Sequence, residues 1–179
     1  EIFLTVPVIT KNKRFQKINE VLIDDSRNFI EKHIKSISTN YSKSKYYKEI
    51  SNELFDILEC KFVRLMDLNL KLINYFIKYL EIELEILFSS KFETVSGKDD
   101  LIFDLCKLSN TDNYITPFGS KAYLDNKNLE KFYKNNIKVN FFRFSNVEYK
   151  QINGKFISNL SIIDLIFNEG KNAKKILKL

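Results

Sequence analysis

The sequence predicts an α/β chain, a single layered domain with a mixed central sheet and a helical insertion over about residues 26–80. Three observations predict it. Short apolar, β-branched runs alternate with segments whose apolar residues recur at the helical period. Residues 26–80 carry three such helical faces in succession. A chain of 179 residues with 44% hydrophobic and 14% aromatic content is long enough for one domain with a sizeable core, and two independent domains are not expected. Residues 1–179 are therefore read as one domain.

Residues 2–9 are apolar and β-branched, and residues 18–24 alternate enough to pair with them across the polar connection 10–17, which predicts a hairpin. Asp25 and Ser26 offer a cap for a helix in which Phe29, Ile30, His33, Ile34 and Ile37 share one face, so His33 falls on the apolar side. A second helix carries Tyr47, Ile50, Leu54, Ile57 and Leu58, and a third Phe62, Leu65, Met66, Leu72, Ile73, Phe76, Ile77 and Leu80. Burial demands such stripes, so their aromatics read as core rather than as a cofactor box. Residues 83–89 read as a strand ending in the small hydroxyls of Ser89 and Ser90. In an α/β sheet, ligands gather at the carboxyl ends of strands. Gly97 marks a turn, residues 98–108 a helix, and residues 114–116 a short strand beginning at Tyr114. The loop Pro117-Phe118-Gly119-Ser120 is a second candidate rim. A short helix at 128–133, an aromatic strand at 137–144, a helix at 161–167 and a basic amphipathic tail at 172–179 complete the order.

The formal charge of +6 rests on lysine, with Arg only at positions 14, 27, 64 and 143, and acids are interspersed throughout. A solvated surface explains this pattern. Base and phosphate readers favour the planar fork of Arg, so four scattered Arg argue against a dedicated nucleic-acid reader. A modest positive potential remains compatible with a nucleotide-sugar or a lipid-linked pyrophosphate. Cys60 and Cys106 are distant in sequence and read as buried free thiols. One His and two distant Cys exclude structural zinc, and no metal or cofactor is expected. No apolar run is long enough to span a bilayer and no signal-peptide pattern appears, which places the chain in the cytoplasm. The P-loop, Gly-x-Gly-x-x-Gly and Gly-x-Ser-x-Gly motifs are absent.

The end of the sequence mixes polar side chains into core residues: Tyr149, Gln151, Gly154 and Phe156, then Leu160-Ser161-Ile162-Ile163-Asp164-Leu165-Ile166-Phe167-Asn168 before Gly170. Each such polar group left unpaired would cost about 1–3 kcal/mol, so these side chains bond either backbone or a ligand. On the structural reading, Ser161 caps a helix and Asn168 stops it before Gly170.

This closing string resembles the signature of the WbqC-like family, proteins found among bacterial O-antigen biosynthesis functions. Other blocks follow in the family's order: Leu4-Thr5-Val6-Pro7-Val8, Lys32-His33 with Tyr41, Tyr46 and Tyr47, the pair Ser89-Ser90, Leu105-Cys106, Asn113-Tyr114-Ile115, and Gly119 with Ala122-Tyr123-Leu124. The family's opening Gln-Pro-x-Tyr/Phe-x-Pro strand and loop and its Asn-Arg-Asn segment do not occur, and the chain begins at Glu1. The expectation is that an N-terminal part of the family's domain lies outside this chain, and with it the most polar part of the site.

The resemblance implies a role in bacterial surface-polysaccharide (O-antigen, lipopolysaccharide) biosynthesis, with glycine transfer to an amino-sugar precursor, nucleotide- or lipid-linked, as the leading activity. Such acyl transfer needs a base for the ammonium proton and donors for a tetrahedral oxyanion. His33 or Asp164 would be the base. Ser89, Ser90 or Tyr123 would donate toward the oxyanion or sugar hydroxyls, and Gln151 and Asn168 would orient the acceptor. Tyr114, Gly119, Tyr149 and Ser161 complete the substrate-binding candidates. A lone His on an apolar helix face is equally a satisfied core residue. The rival readings are a non-catalytic module that binds the glycan precursor or docks on another enzyme, and a nucleic-acid binder, which salt dependence would expose.

Overall fold

In the computed structural model, residues 2–13, 15–93, 100–144, 147–152 and 154–179 are described. The turn expected at Gly97 and the start of the helix expected over 98–108 lie outside them.

The helical faces fold as their spacing requires. Helix α1 spans Phe29–Tyr41, α2 Tyr47–Glu59 and α3 Leu65–Tyr79. They bury Phe29, His33 and Ile37 from α1, Ile50, Leu54 and Leu58 from α2, and Leu68 from α3. The cap expected from Asp25 and Ser26 does not form on α1; instead the Asp24 carboxylate accepts from the Ser26 N–H at 3.2 Å and from its hydroxyl at 2.6 Å, closing a 3-10 turn over Asp25–Arg27. Asn28, with φ +45°, then redirects the chain into α1.

By contacts the chain forms two compact units, the first of Glu1–Glu83 and Asn146–Leu179, the second of Leu84–Ser145. In the first, α6 (Ile162–Glu169) supplies the centre of the core. Its Ile166 and Phe167 are fully buried beside Ile50, Leu54 and Leu68. Each such side chain contributes about 1.5–3 kcal/mol over an exposed one. Phe167 stacks on Tyr41 at 5.2 Å between ring centroids and meets Tyr47 at 5.5 Å, so the tyrosines at the exit of α1 and entry of α2 are fastened to the closing helix. Gly170 ends α6 with φ +56°, against the Tyr46 ring. A short α7, Ala173–Leu177, follows.

The second unit holds α4 (Leu101–Leu108), β1 (Asn113–Pro117), α5 (Asn126–Lys134) and β2 (Lys138–Phe142). Parallel strands need a crossover, and α5 supplies it, capped by the Asp125 carboxylate, which accepts from the Asn128 N–H at 2.8 Å. The strands run in register from Asn113 opposite Lys138 to Pro117 opposite Phe142. Phe103, Cys106, Phe132, Ile137 and Val139 form the core of this unit.

Several expectations are corrected. The mixed central sheet is, among the described residues, this parallel pair alone. The hairpin of residues 2–9 and 18–24 reduces to an isolated antiparallel bridge, Val8 with Ile23, beside a second bridge, Leu22 with Arg64. Pro7 has no N–H to extend a ladder and serves only as an acceptor, from the Asp24 N–H at 2.9 Å. Ile18–Glu20 closes a 3-10 turn. No ladder forms over residues 83–89, and Ser89–Lys91 is a 3-10 turn. The stretch 26–80 is the body of the first unit rather than an insertion; the sheet-bearing segment 84–145 is what interrupts the chain. Cys106 is buried, but Cys60, at the end of α2 beyond its apolar face, is exposed. No helix among the described residues is long and apolar enough to cross a membrane.

Candidate functional site: a buried carboxylate in a polar cavity

Asp164 sits in the first turn of α6 on the face that carries Leu165, Ile166 and Phe167 inward, and only 4% of its surface is exposed. A carboxylate there requires donors. The Tyr149 hydroxyl donates to its Oδ2 at 2.7 Å and the Gln151 Nε2 to the same oxygen at 2.9 Å. Gln151 is fixed by its own loop, donating to the Ile157 carbonyl at 2.9 Å and accepting from the Ile157 N–H at 2.8 Å. Burial, then the charge of Asp164 and a hydrogen bond to it, push the Tyr41 phenol well above the ordinary tyrosine range. Burial and the bond to Asp164 do the same for Tyr149. Both phenols stay protonated, and that of Tyr149 donates. Asp164 is thus held by two neutral donors, Tyr149 and Gln151, with the Tyr41 phenol beside it, and, among the described residues, by no cation.

Asp164 lines a cavity of about 480 Å³. Ser36, Asn40, Tyr41, Gln151, Asn159 and Ser161 supply its other polar walls, and Phe3, Leu4, Ile37, Ile157 and Ile163 much of its apolar surface. Among the described residues no Lys or Arg lines it. The volume is in the range of small-molecule sites, and the mixture of apolar wall with a few convergent polar groups is what such sites show.

His33 is buried one turn before Ser36 and Ile37. Its Nε2 lies 3.2 Å from the Thr5 carbonyl oxygen, and its ring meets Phe29 edge-on at 5.4 Å. Thr5 follows directly on Phe3 and Leu4, so His33 anchors the segment that walls the cavity. Burial lowers its pKa, opposed by the Thr5 carbonyl, and the ring is neutral at pH 7. Ser161 stands at the start of α6 as expected, but its backbone carbonyl, not its hydroxyl, receives the Asp164 N–H at 3.0 Å. Asn168 donates to the Asp164 carbonyl at 2.8 Å, within the helix.

The remaining candidates belong to the second unit. Ser89 and Ser90 are exposed on their 3-10 turn. Tyr114 and Tyr123 line a second cavity of about 290 Å³ with Phe103, Asn128, Lys131 and Phe132. A hydroxyl relay fixes the turn after β1: Tyr114 donates to Thr116 Oγ1 at 3.1 Å, Thr116 to Ser120 Oγ at 2.9 Å, and Ser120 to the Pro117 carbonyl at 2.7 Å. Gly119 sits in that turn with open space around its Cα. Among the described residues no three His, Cys, Asp or Glu side chains come together as a metal site.

A model of the WbqC-like protein family matches residues 1–176. The chain belongs to the WbqC-like family. It is 32% identical over 178 residues, 98% of this chain and 75% of the relative, to the uncharacterized protein Rv1507c of Mycobacterium tuberculosis. No solved structure matches. Membership in the WbqC-like family suggests a role in surface-polysaccharide biosynthesis. Within this WbqC-like chain, Asp164, Gln151 and Ser161, all singled out by their sequence context, line one cavity, and Tyr149 bonds the Asp164 carboxylate; Tyr41, which also lines the cavity, was not among the candidates. A tyrosine at the end of an amphipathic helix looks like core, and Tyr41 is core on its Phe167 side while also lining the cavity.

Proposed function

We propose that the Asp164 cavity binds the amine of an amino-sugar precursor and that the chain transfers a glycyl or other aminoacyl group to it in surface-polysaccharide biosynthesis. The observation that carries this reading is an acidic cavity in which, among the described residues, no cation is found: a carboxylate buried at considerable desolvation cost, oriented by neutral donors, on a wall to which no described Lys or Arg contributes. An ammonium group would complete the charge, while the hydroxyls of Tyr41 and Ser161 and the amide of Asn159 suit sugar oxygens.

In the proposed step the acceptor ammonium gives a proton to Asp164 or to neutral His33. The freed amine attacks the carbonyl carbon of an activated glycyl donor. The C–N bond forms, the bond from acyl carbon to leaving group breaks, and the leaving group departs with its electron pair and takes up the second proton that the attacking nitrogen sheds as it becomes an amide. Hydroxyl donors would stabilise the tetrahedral oxyanion. Ser89, Ser90 and Tyr123 belong to the second unit and take no part in this step, and Asn168 would act through α6. Because the family match runs through both units, we read residues 1–179 as one WbqC-like domain.

A second reading has an observation of its own. Asp164 Oδ2 already accepts two hydrogen bonds and His33 is engaged by Thr5, which suits recognition without turnover. One experiment separates the two. The chain is incubated with nucleotide-linked amino-sugars and activated glycine and analysed by mass spectrometry, while binding of each amino-sugar is compared with its N-acetylated counterpart. A glycyl adduct that His33→Gln and Asp164→Asn each sharply reduce supports the transferase. Binding that prefers the free amine by about tenfold, lost in Asp164→Asn and without adduct, supports the module. Equal binding of amine and N-acetyl forms would remove both.

A further inference from the structure

β1 and β2 are parallel, so their carboxyl ends lie at the same edge of the sheet, with Pro117 opposite Phe142. The residues that follow them, Phe118 and Arg143, meet there: the Arg143 guanidinium carbon lies 3.5 Å from the centroid of the Phe118 ring. Lys121 brings a second cation to the same ring, its Nζ 4.7 Å from the Phe118 centroid and 4.9 Å from that of Phe141. Two like charges are thereby held within about 8 Å, one screening length at physiological salt. No carboxylate offsets them among the described residues. The acids of this unit that form ion pairs do so elsewhere, Asp100 with Lys131 and Glu130 with Lys134, and Asp125 caps α5.

Stacking on Phe118 fixes the plane of the Arg143 guanidinium and leaves its edge of N–H donors without a hydrogen-bond acceptor among the described residues. Both cations are exposed, so a ligand can reach them. The platform is rigid, because the buried relay from Tyr114 through Thr116 and Ser120 to the Pro117 carbonyl holds the turn that carries Phe118. A fixed planar fork beside a point charge, at the carboxyl edge of parallel strands, is an arrangement for a tetrahedral oxyanion.

We propose that this edge is an anion site for a phosphoryl group, with Arg143 as the bidentate donor and Lys121 as the second charge. Two unneutralised cations match the charge of a phosphate or pyrophosphate better than that of a single carboxylate. The phosphates of a nucleotide and those of a polyprenyl carrier share this chemistry.

The test is titration of the whole chain, by calorimetry or phosphorus NMR at low salt, with inorganic pyrophosphate, with UDP, with geranyl diphosphate and with acetate. Pyrophosphate is expected to bind more tightly than acetate and to weaken as salt is raised. Arg143→Gln should reduce its affinity about tenfold, and Arg143→Lys by less, since the charge stays and the fork is lost. Phe118→Ala should weaken binding although it removes no charge. Asp164→Asn should leave pyrophosphate binding unchanged, so the outcome is separable from the fate of the acceptor cavity. UDP binding more tightly than pyrophosphate would assign the phosphates to a nucleotide, and geranyl diphosphate doing so would assign them to a lipid. The three binding alike would assign recognition to the phosphates themselves. Lys121 and Arg143 are exposed, so the Lys121→Gln/Arg143→Gln protein should keep its circular dichroism. Unchanged pyrophosphate affinity in that protein, acetate matching pyrophosphate, or no pyrophosphate binding by the unaltered chain would overturn the proposal.

Discussion

Removing one oxygen atom from Tyr149 tests whether Asp164 is the charged centre of its cavity. In Tyr149→Phe the ring stays, with its edge-on contact to Phe156 at 5.2 Å, and the change is confined to the hydroxyl that donates to Asp164 Oδ2 at 2.7 Å. A hydrogen bond to a charged group contributes about 1.5–3 kcal/mol, against about 0.5–1.5 for a neutral pair. Asp164 is only 4% exposed, and the expected loss falls in the first of these ranges, about 1.5–3 kcal/mol. Tyr47→Phe provides the scale: its hydroxyl donates to Ser38 Oγ at 2.9 Å, a neutral partner, and its removal should cost about 1 kcal/mol. The assay is urea unfolding followed by far-ultraviolet circular dichroism, since the chain has no tryptophan, with equal slopes required for the comparison. A Tyr149→Phe protein no less stable than Tyr47→Phe would refute the view that a charged carboxylate is being satisfied there.

Two further predictions concern the frame of the site. At Gly170 a Cβ would meet the Tyr46 ring at 2.7 Å with φ at +56°, so Gly170→Ala should destabilise by about 2–5 kcal/mol from backbone strain and overpacking together. Gly119→Ala, with nothing within 4 Å, should stay within about 0.5 kcal/mol, and urea midpoints of the two proteins check the contrast. His33 is the only histidine in the chain and its folded pKa is depressed below 6.5. As pH falls below that value the unfolded chain takes a proton that the buried ring resists, so stability is full above about pH 6.5 and declines toward the lower, folded pKa. His33→Gln, which can still donate to the Thr5 carbonyl, should lose part of that decline between pH 7.5 and 5.5. The same pH sensitivity in both proteins would show that carboxylates alone carry it.

The helices were legible because burial imposes a period that a sequence displays. Phe29, His33 and Ile37, or Ile50, Leu54 and Leu58, announce their inward face before any partner is known. Strands depend on partners the sequence does not name. Residues 2–9 have the composition of a strand but find one bridge, whereas Asn113–Pro117 finds Lys138–Phe142 across a helix and becomes a sheet. The polar side chains of the closing segment were conspicuous because of their apolar neighbours, and Asp164, Tyr149 and Gln151 do converge. Their division of labour was hidden: Gln151 fastens its loop as well as the carboxylate, and Asn168 serves the backbone of α6. Arg143 and Lys121 looked like two of many scattered cations, since their proximity is made by parallel pairing and by one phenylalanine ring.

The path of the chain through its first unit bears on how the protein is made. Phe167 fills the space between Tyr41 and Tyr47, yet 120 residues separate it from Tyr47 in order of synthesis. At translation rates of about 5–20 residues per second, that is an interval of roughly 6–24 s. During that time the apolar faces of α1, α2 and α3 have emerged from the ribosome without the side chains that will cover them. The segment that forms the parallel sheet is complete within the same interval, having all its core residues between Phe103 and Val139. Chaperone dependence in the cell should therefore track the helical body, and a ribosome stalled before Ile162 should display a protease-sensitive helical portion beside a protected sheet.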